Sequence, residues 1–100
     1  FEYIYVLQKP GKRRVSQDLR KRSKLTLEEW RAWTQQWWRV ESISEKFGHH
    51  GAVFPLEIPY RLIRMYSYEG DVVLNPYAGT GATMLAADKC RRSSIGFEID

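Results

Sequence analysis

A chain of 100 residues, 43% apolar and carrying a net charge of +4, has the size of about one small domain. A single cysteine, Cys90, excludes an internal disulfide framework and suits a reducing, cytoplasmic setting. No apolar run approaches the roughly 18 residues of a membrane span, and residues 1–10 lack the basic leader and cleavage site of a signal peptide.

Residues 2–8, EYIYVLQ, combine β-branched and aromatic side chains and read as a strand that Pro10 and Gly11 terminate. Eight of the sixteen basic residues then fall between Lys9 and Lys24, with Asp18 as the sole acid among them. Such a block points to a polyanion, nucleic acid first, through Lys12, Arg13, Arg14, Arg20, Lys21, Arg22 and Lys24. The competing reading is a solvated loop or a short surface helix that keeps the protein soluble.

The clearest helix covers residues 26–38. Thr26 and Glu29 have the spacing of a capping box. Leu27, Trp30, Trp33 and Trp37 recur at helical spacing, and Trp38 widens the stripe. Tryptophans could stack on bases. A 3.6-residue stripe is what packing on a larger body demands, so packing is the preferred reading. Residues 40–51 are polar. Their pair His49 and His50 does not share a helical face and has no Cys, Asp or Glu at ligand spacing, so no metal site is expected.

A second helix is expected over residues 56–68, with Pro55 and Pro59 tolerated around its first turn and Gly70 just past its end. Ile58, Leu62, Ile63, Met65 and Tyr66 would give it a broad buried face. Next comes an apolar run, Val72 to Leu74, of the kind a buried parallel strand needs. A turn with Gly79 and Gly81, a helix over residues 83–90 and a second apolar run, Ile95 to Phe97, complete one βαβ unit of about thirty residues. In such a unit a Gly-rich turn lies beside a helix N-terminus, where backbone can approach a ligand. Glu98, 17 positions after Gly81, stands where an acid can accept from a ribose. The motif therefore predicts a nucleoside-containing cofactor held by residues 75–83 and Glu98. A dinucleotide-dependent oxidoreductase is disfavoured, because Met84 breaks the Gly-x-Gly-x-x-Gly spacing. Cys90, within the helix, reads as a packed thiol.

Two blocks carry a resemblance. The first is His50-Gly51-Ala52-Val53-Phe54-Pro55, followed by Arg61-Leu62-Ile63. The second is Asn75-Pro76-Tyr77-Ala78-Gly79-Thr80-Gly81-Ala82-Thr83, followed by Glu98. Together they resemble the C-terminal portion of S-adenosylmethionine-dependent DNA amino-methyltransferases, in the permuted class whose catalytic motif precedes the cofactor motifs. That family shows His-Pro-Ala-x-Phe-Pro and then Asp-Pro-Phe-x-Gly-Ser-Gly-Thr-Thr. Here Gly51, Asn75, Tyr77 and Ala82 depart from it. Residues 2–9 also resemble a late strand of the family.

The resemblance implies a Rossmann-like α/β fold, incomplete in this chain. It divides the chain into a late strand at 1–11, a possible DNA-contacting region at 12–48 and a cofactor-binding portion at 49–100. It implies S-adenosyl-L-methionine held by Phe54, Pro55, Asn75, Tyr77, Ala78, Gly79, Thr80, Gly81, Thr83 and Glu98. For Thr80 and Thr83, helix capping is the competing role. For Glu98 it is a solvent-exposed strand end. The expected activity is methyl transfer to cytosine N4 or adenine N6 of double-stranded DNA. No Pro-Pro-aromatic catalytic motif occurs in the sequence, so no catalytic residue is assigned. Both ends of the chain run into strand-like sequence. We expect a fragment or a split subunit whose partner is the missing N-terminal part, working on DNA in the nucleoid. A non-catalytic DNA-binding remnant is the alternative.

Overall fold

The computed structural model describes residues 3–39, 55–77 and 81–97. Its elements in chain order are α1 (Gln17–Ser23), α2 (Leu27–Trp33), α3 (Glu57–Tyr66), β1 (Val72–Asn75), α4 (Ala82–Lys89) and β2 (Ser93–Gly96). The two strands pair in parallel, with Val72 opposite Ser93 and Asn75 opposite Gly96. Parallel pairing requires a crossover, and α4 supplies it. The expected βαβ unit and α/β class are therefore present.

The core is small and lies between α3 and α4. Ala86 and Ala87 are fully buried, with Ile63 and Cys90 nearly so. Leu56, Tyr60 and Val73 pack around them. Alanines at the contact keep the helix surfaces low, so the two backbones approach closely. The Cys90 thiol donates back to the Ala86 carbonyl at 3.0 Å, which satisfies it inside the core. The packed-thiol expectation holds.

Helix α4 ends in a Schellman arrangement. Arg92 N–H donates to Ala87 O at 2.8 Å and Arg91 N–H to Asp88 O at 3.2 Å. Arg91 occupies the left-handed position, φ 64°, where glycine is usual. Arg92 then turns inward and is 5% exposed. Its guanidinium donates to Ser67 Oγ, Ser67 O and Cys90 O at 3.0, 2.7 and 2.6 Å. These bonds tie the end of α3 to the end of α4. The left-handed Gly70 adds a further tie by donating to Arg91 O at 2.8 Å.

Several sequence expectations are corrected. Residues 3–9 form no strand, because they meet no strand partner among the described residues. The helix expected over 26–38 stops at Trp33. Thr34 turns its hydroxyl onto Trp30 O at 2.6 Å, and the Trp38 indole N–H donates to Trp33 O at 3.0 Å. Trp38 thus caps the helix end instead of extending its stripe. On α3 only Pro59 and Ile63 are buried, while Tyr66 is exposed. Strand β1 is not a buried strand within this chain: Val72 and Leu74 face outward at 63% and 61% exposure. A parallel strand becomes buried on both faces only when layers cover both sides of the sheet. Here α3 and α4 cover one side. The pair His49 and His50 lies outside the described residues. No helix among the described residues is long and apolar enough to cross a membrane.

Candidate functional site

The carboxyl ends of β1 and β2 lie side by side, and the Phe97 N–H donates to Asn75 O at 3.1 Å. Gly81 starts α4 as its N-cap in the left-handed conformation, φ 86°, with no side-chain cap. A side chain there would be strained whatever the space around it. The start of α4 lies by the carboxyl end of β1, where Thr83 meets Asn75. That is where ligands bind in open α/β sheets.

Asn75 organises the turn. Its Oδ1 accepts the Tyr77 N–H at 2.9 Å, an Asx-type bond that bends the chain out of the strand. Its Nδ2 donates to Thr83 Oγ1 at 2.8 Å. The turn is thereby clamped to the first turn of α4. Gly81 is the N-cap and the helix has no side-chain cap; the Thr83 hydroxyl instead accepts from Asn75. Tyr77 holds its ring in solvent at 86% exposure. Pro55 is half-buried just before α3. Phe54, Ala78, Gly79, Thr80 and Glu98 lie outside the described residues. Asn75, Tyr77, Gly81 and Thr83 are thus the predicted cofactor residues that come together.

The basic segment is docked, and acids that the sequence reading did not use hold it. Arg13 makes a two-pronged pair with Asp71, 58 positions away, at 2.8 and 2.7 Å. Its guanidinium also lies 5.3 Å from the Tyr68 ring centre. The Arg13 bond is the largest influence on Asp71. It outweighs burial and, with the Tyr68 N–H, holds the carboxyl below its ordinary range. Ser23 Oγ accepts the Glu69 N–H at 2.8 Å. Arg22 pairs with Asp18 at 3.2 Å and reaches Glu69 at 3.9 Å. Helix α2 is fastened by Arg64, which donates to Glu29 at 2.9 and 3.0 Å beside the rings of Trp33 and Tyr60. Arg61 stacks on Trp33 and Trp38 at 5.8 and 5.1 Å. Two of the seven predicted DNA-contacting residues, Arg13 and Arg22, are consequently engaged with acids of the chain itself. Lys12, Arg14, Arg20, Lys21 and Lys24 make no ion pair among the described residues.

Among the hollows on the surface of the described residues, two bear on the basic and tryptophan-rich segments. The larger, about 830 Å³, lies between Tyr3, Ile4, Val6, Trp33, Trp37 and the Ile58, Leu62 and Met65 side of α3. None of the described cofactor residues lines it. The smaller, about 460 Å³, lies between α1 and Tyr68.

The profile of the N6 and N4 methyltransferase family, DNA methylase, matches residues 1–100. The type II methyltransferase M.MjaI of Methanocaldococcus jannaschii is 44% identical over 104 residues, which cover 99% of this chain and 34% of that protein. The type II methyltransferase M.BglI of Bacillus subtilis is 38% identical over 99 residues, 98% of this chain and 27% of that protein. A solved structure from Thermus thermophilus, described as a DNA modification methylase complexed with S-adenosyl-L-methionine, superimposes with a TM-score of 0.73 at 38% identity. The match covers 91% of this chain and 34% of that one. The chain spans between 27% and 34% of the length of these relatives.

Proposed function

Because the chain belongs to the N6 and N4 DNA methylase family, we propose that it supplies the cofactor-binding part of a DNA amino-methyltransferase. The observation that carries this reading is the Asn75–Thr83 clamp beside the left-handed Gly81. The clamp ties the carboxyl end of β1 to the first turn of α4, and the N–H groups at the start of that helix are the ones we assign to the ligand. These groups suit S-adenosyl-L-methionine: amides and a hydroxyl for its carboxylate, the exposed Tyr77 ring for an apolar face. The cofactor supplies a methyl made electrophilic by a positive sulfonium.

The residues of this chain bind and orient. Asn75 fixes the turn, Gly81 admits the ligand, and Thr83 offers its hydroxyl proton. Phe54, Pro55, Ala78, Gly79, Thr80 and Glu98 complete the set, with Glu98 on the ribose hydroxyls. Basic side chains within residues 12–24 contact the DNA backbone. The groups that hold the target amine, cytosine N4 or adenine N6, come from a Pro-Pro-aromatic motif not found in these 100 residues, so this chain by itself is inactive. The remainder of the methyltransferase is its partner, and cytoplasmic, nucleoid-associated DNA its substrate.

Calorimetric titration with S-adenosylmethionine, with and without a relative's N-terminal two-thirds, tests this reading. Saturable binding that Thr83→Val weakens about tenfold is expected. No binding in either case overturns it.

A further inference from the structure

The seven cations of the basic segment do not face one way. On α1, Gln17, Arg20, Lys21 and the adjoining Lys24 recur at the i, i+3, i+4, i+7 spacing of one helical face. With Ser23 and Tyr68 they line the smaller hollow, about 460 Å³. Ser23, buried at the edge of the hollow, holds the Glu69 N–H, and on the far side of α1 Arg22 turns to Asp18 and Glu69. Arg13 stacks on the Tyr68 ring while pairing with Asp71, so it fixes the wall of the hollow from outside. Three basic residues therefore line one hollow, and no acid among the described residues lines it.

We propose that this hollow is a seat for a DNA backbone phosphate, contacted by Arg20, Lys21 and Lys24, whereas Arg13 and Arg22 dock the segment and do not touch DNA. The proposal rests on the reading that residues 12–24 contact DNA, and it divides that segment by role. A phosphodiester carries one charge and acceptor oxygens, which match a notch of ammonium and guanidinium donors. Arg13 already has both fork donors on the Asp71 carboxylate, and Arg22 lies between the carboxylates of Asp18 and Glu69 at 3.2 and 3.9 Å, so a phosphate would have to displace an ion pair to reach either.

The test is the salt dependence of duplex binding by the full chain. Each neutralised phosphate contributes roughly 0.9 to the slope of log K against log salt. Arg20→Gln, Lys21→Gln and Lys24→Gln are each expected to lower the slope by up to about 0.9. Arg13→Gln and Arg22→Gln are expected to keep the wild-type slope even where affinity falls. The charge-keeping changes Arg20→Lys, Lys21→Arg and Lys24→Arg should restore it, which separates contact from misfolding. An equal loss of slope in all five glutamine variants would mean diffuse attraction and overturn the division of roles. A wild-type slope near zero would overturn the underlying reading of the segment and the proposal with it.

Discussion

Glu29 serves two helices at once: its Oε1 accepts the Thr26 N–H at 2.9 Å while both of its oxygens take the Arg64 guanidinium, 35 positions away. Burial pulls the carboxyl toward its neutral form, but the bonds from Arg64 and Thr26 outweigh that and hold its pKa below the ordinary range. The Glu29 carboxylate is therefore both a cap and an anchor for α2. Glu29→Gln keeps the cap and loses the charge of a partly buried pair. We expect a loss of about 1–2 kcal/mol in urea unfolding.

The same pair, with Arg13–Asp71, sets a pH dependence. Both carboxyls are lowered in the folded state, from ordinary values of 4.5 and 3.8. Their stabilisation is fully present above those values and is lost as pH falls below them through the folded-state pKa. Urea midpoints are expected to be flat from neutral pH down to about 5 and to drop steeply below 4.5. Glu29→Gln should shallow the drop.

Arg91 holds the left-handed C-terminal position of α4 at φ 64°, a conformation that costs a residue with a Cβ about 1 kcal/mol. Arg91→Gly keeps both Schellman bonds and removes that strain. A gain of about 0.5–1 kcal/mol is expected from urea denaturation, a rare case in which introducing glycine stabilises.

Ala86 has no exposed surface and lies in the contact of α3 with α4. Ala86→Leu would push the helices apart and is expected to destabilise by about 1–3 kcal/mol. Because the tilt of α4 sets the mouth beside Gly81, cofactor binding should weaken in the same variant.

What the sequence made legible was local. Thr26 and Glu29 are three residues apart, so their capping box could be read, and the structure contains both of its bonds. The parallel unit could be read because its strands, turn and helix follow one another without interruption. Arg64 on Glu29 and Arg13 on Asp71 could not, since no local pattern pairs residues 35 and 58 positions apart. The tryptophan stripe misled for a related reason. Spacing cannot reveal that the Trp38 indole folds back onto Trp33 O. The run at Val72 signalled burial that two strands alone do not provide. In the candidate site, glycine spacing pointed to Gly81, whereas the Asn75–Thr83 bond was missed. Asn75 stands where the resembled family has aspartate, and its amide donates to Thr83 where a carboxylate cannot.

The central claim is that the ends of β1 and β2 and the start of α4 cup a sulfonium nucleoside. The most direct measurement is a titration of the isotopically labelled chain with S-adenosyl-L-methionine, followed through backbone amide resonances. The amides of Tyr77, Gly81, Thr83 and Phe97 should move first and saturate together, and Asn75→Ala should abolish that response. Shifts confined to the hollow between Trp33 and Leu62, or spread without saturation over the whole chain, would contradict the claim.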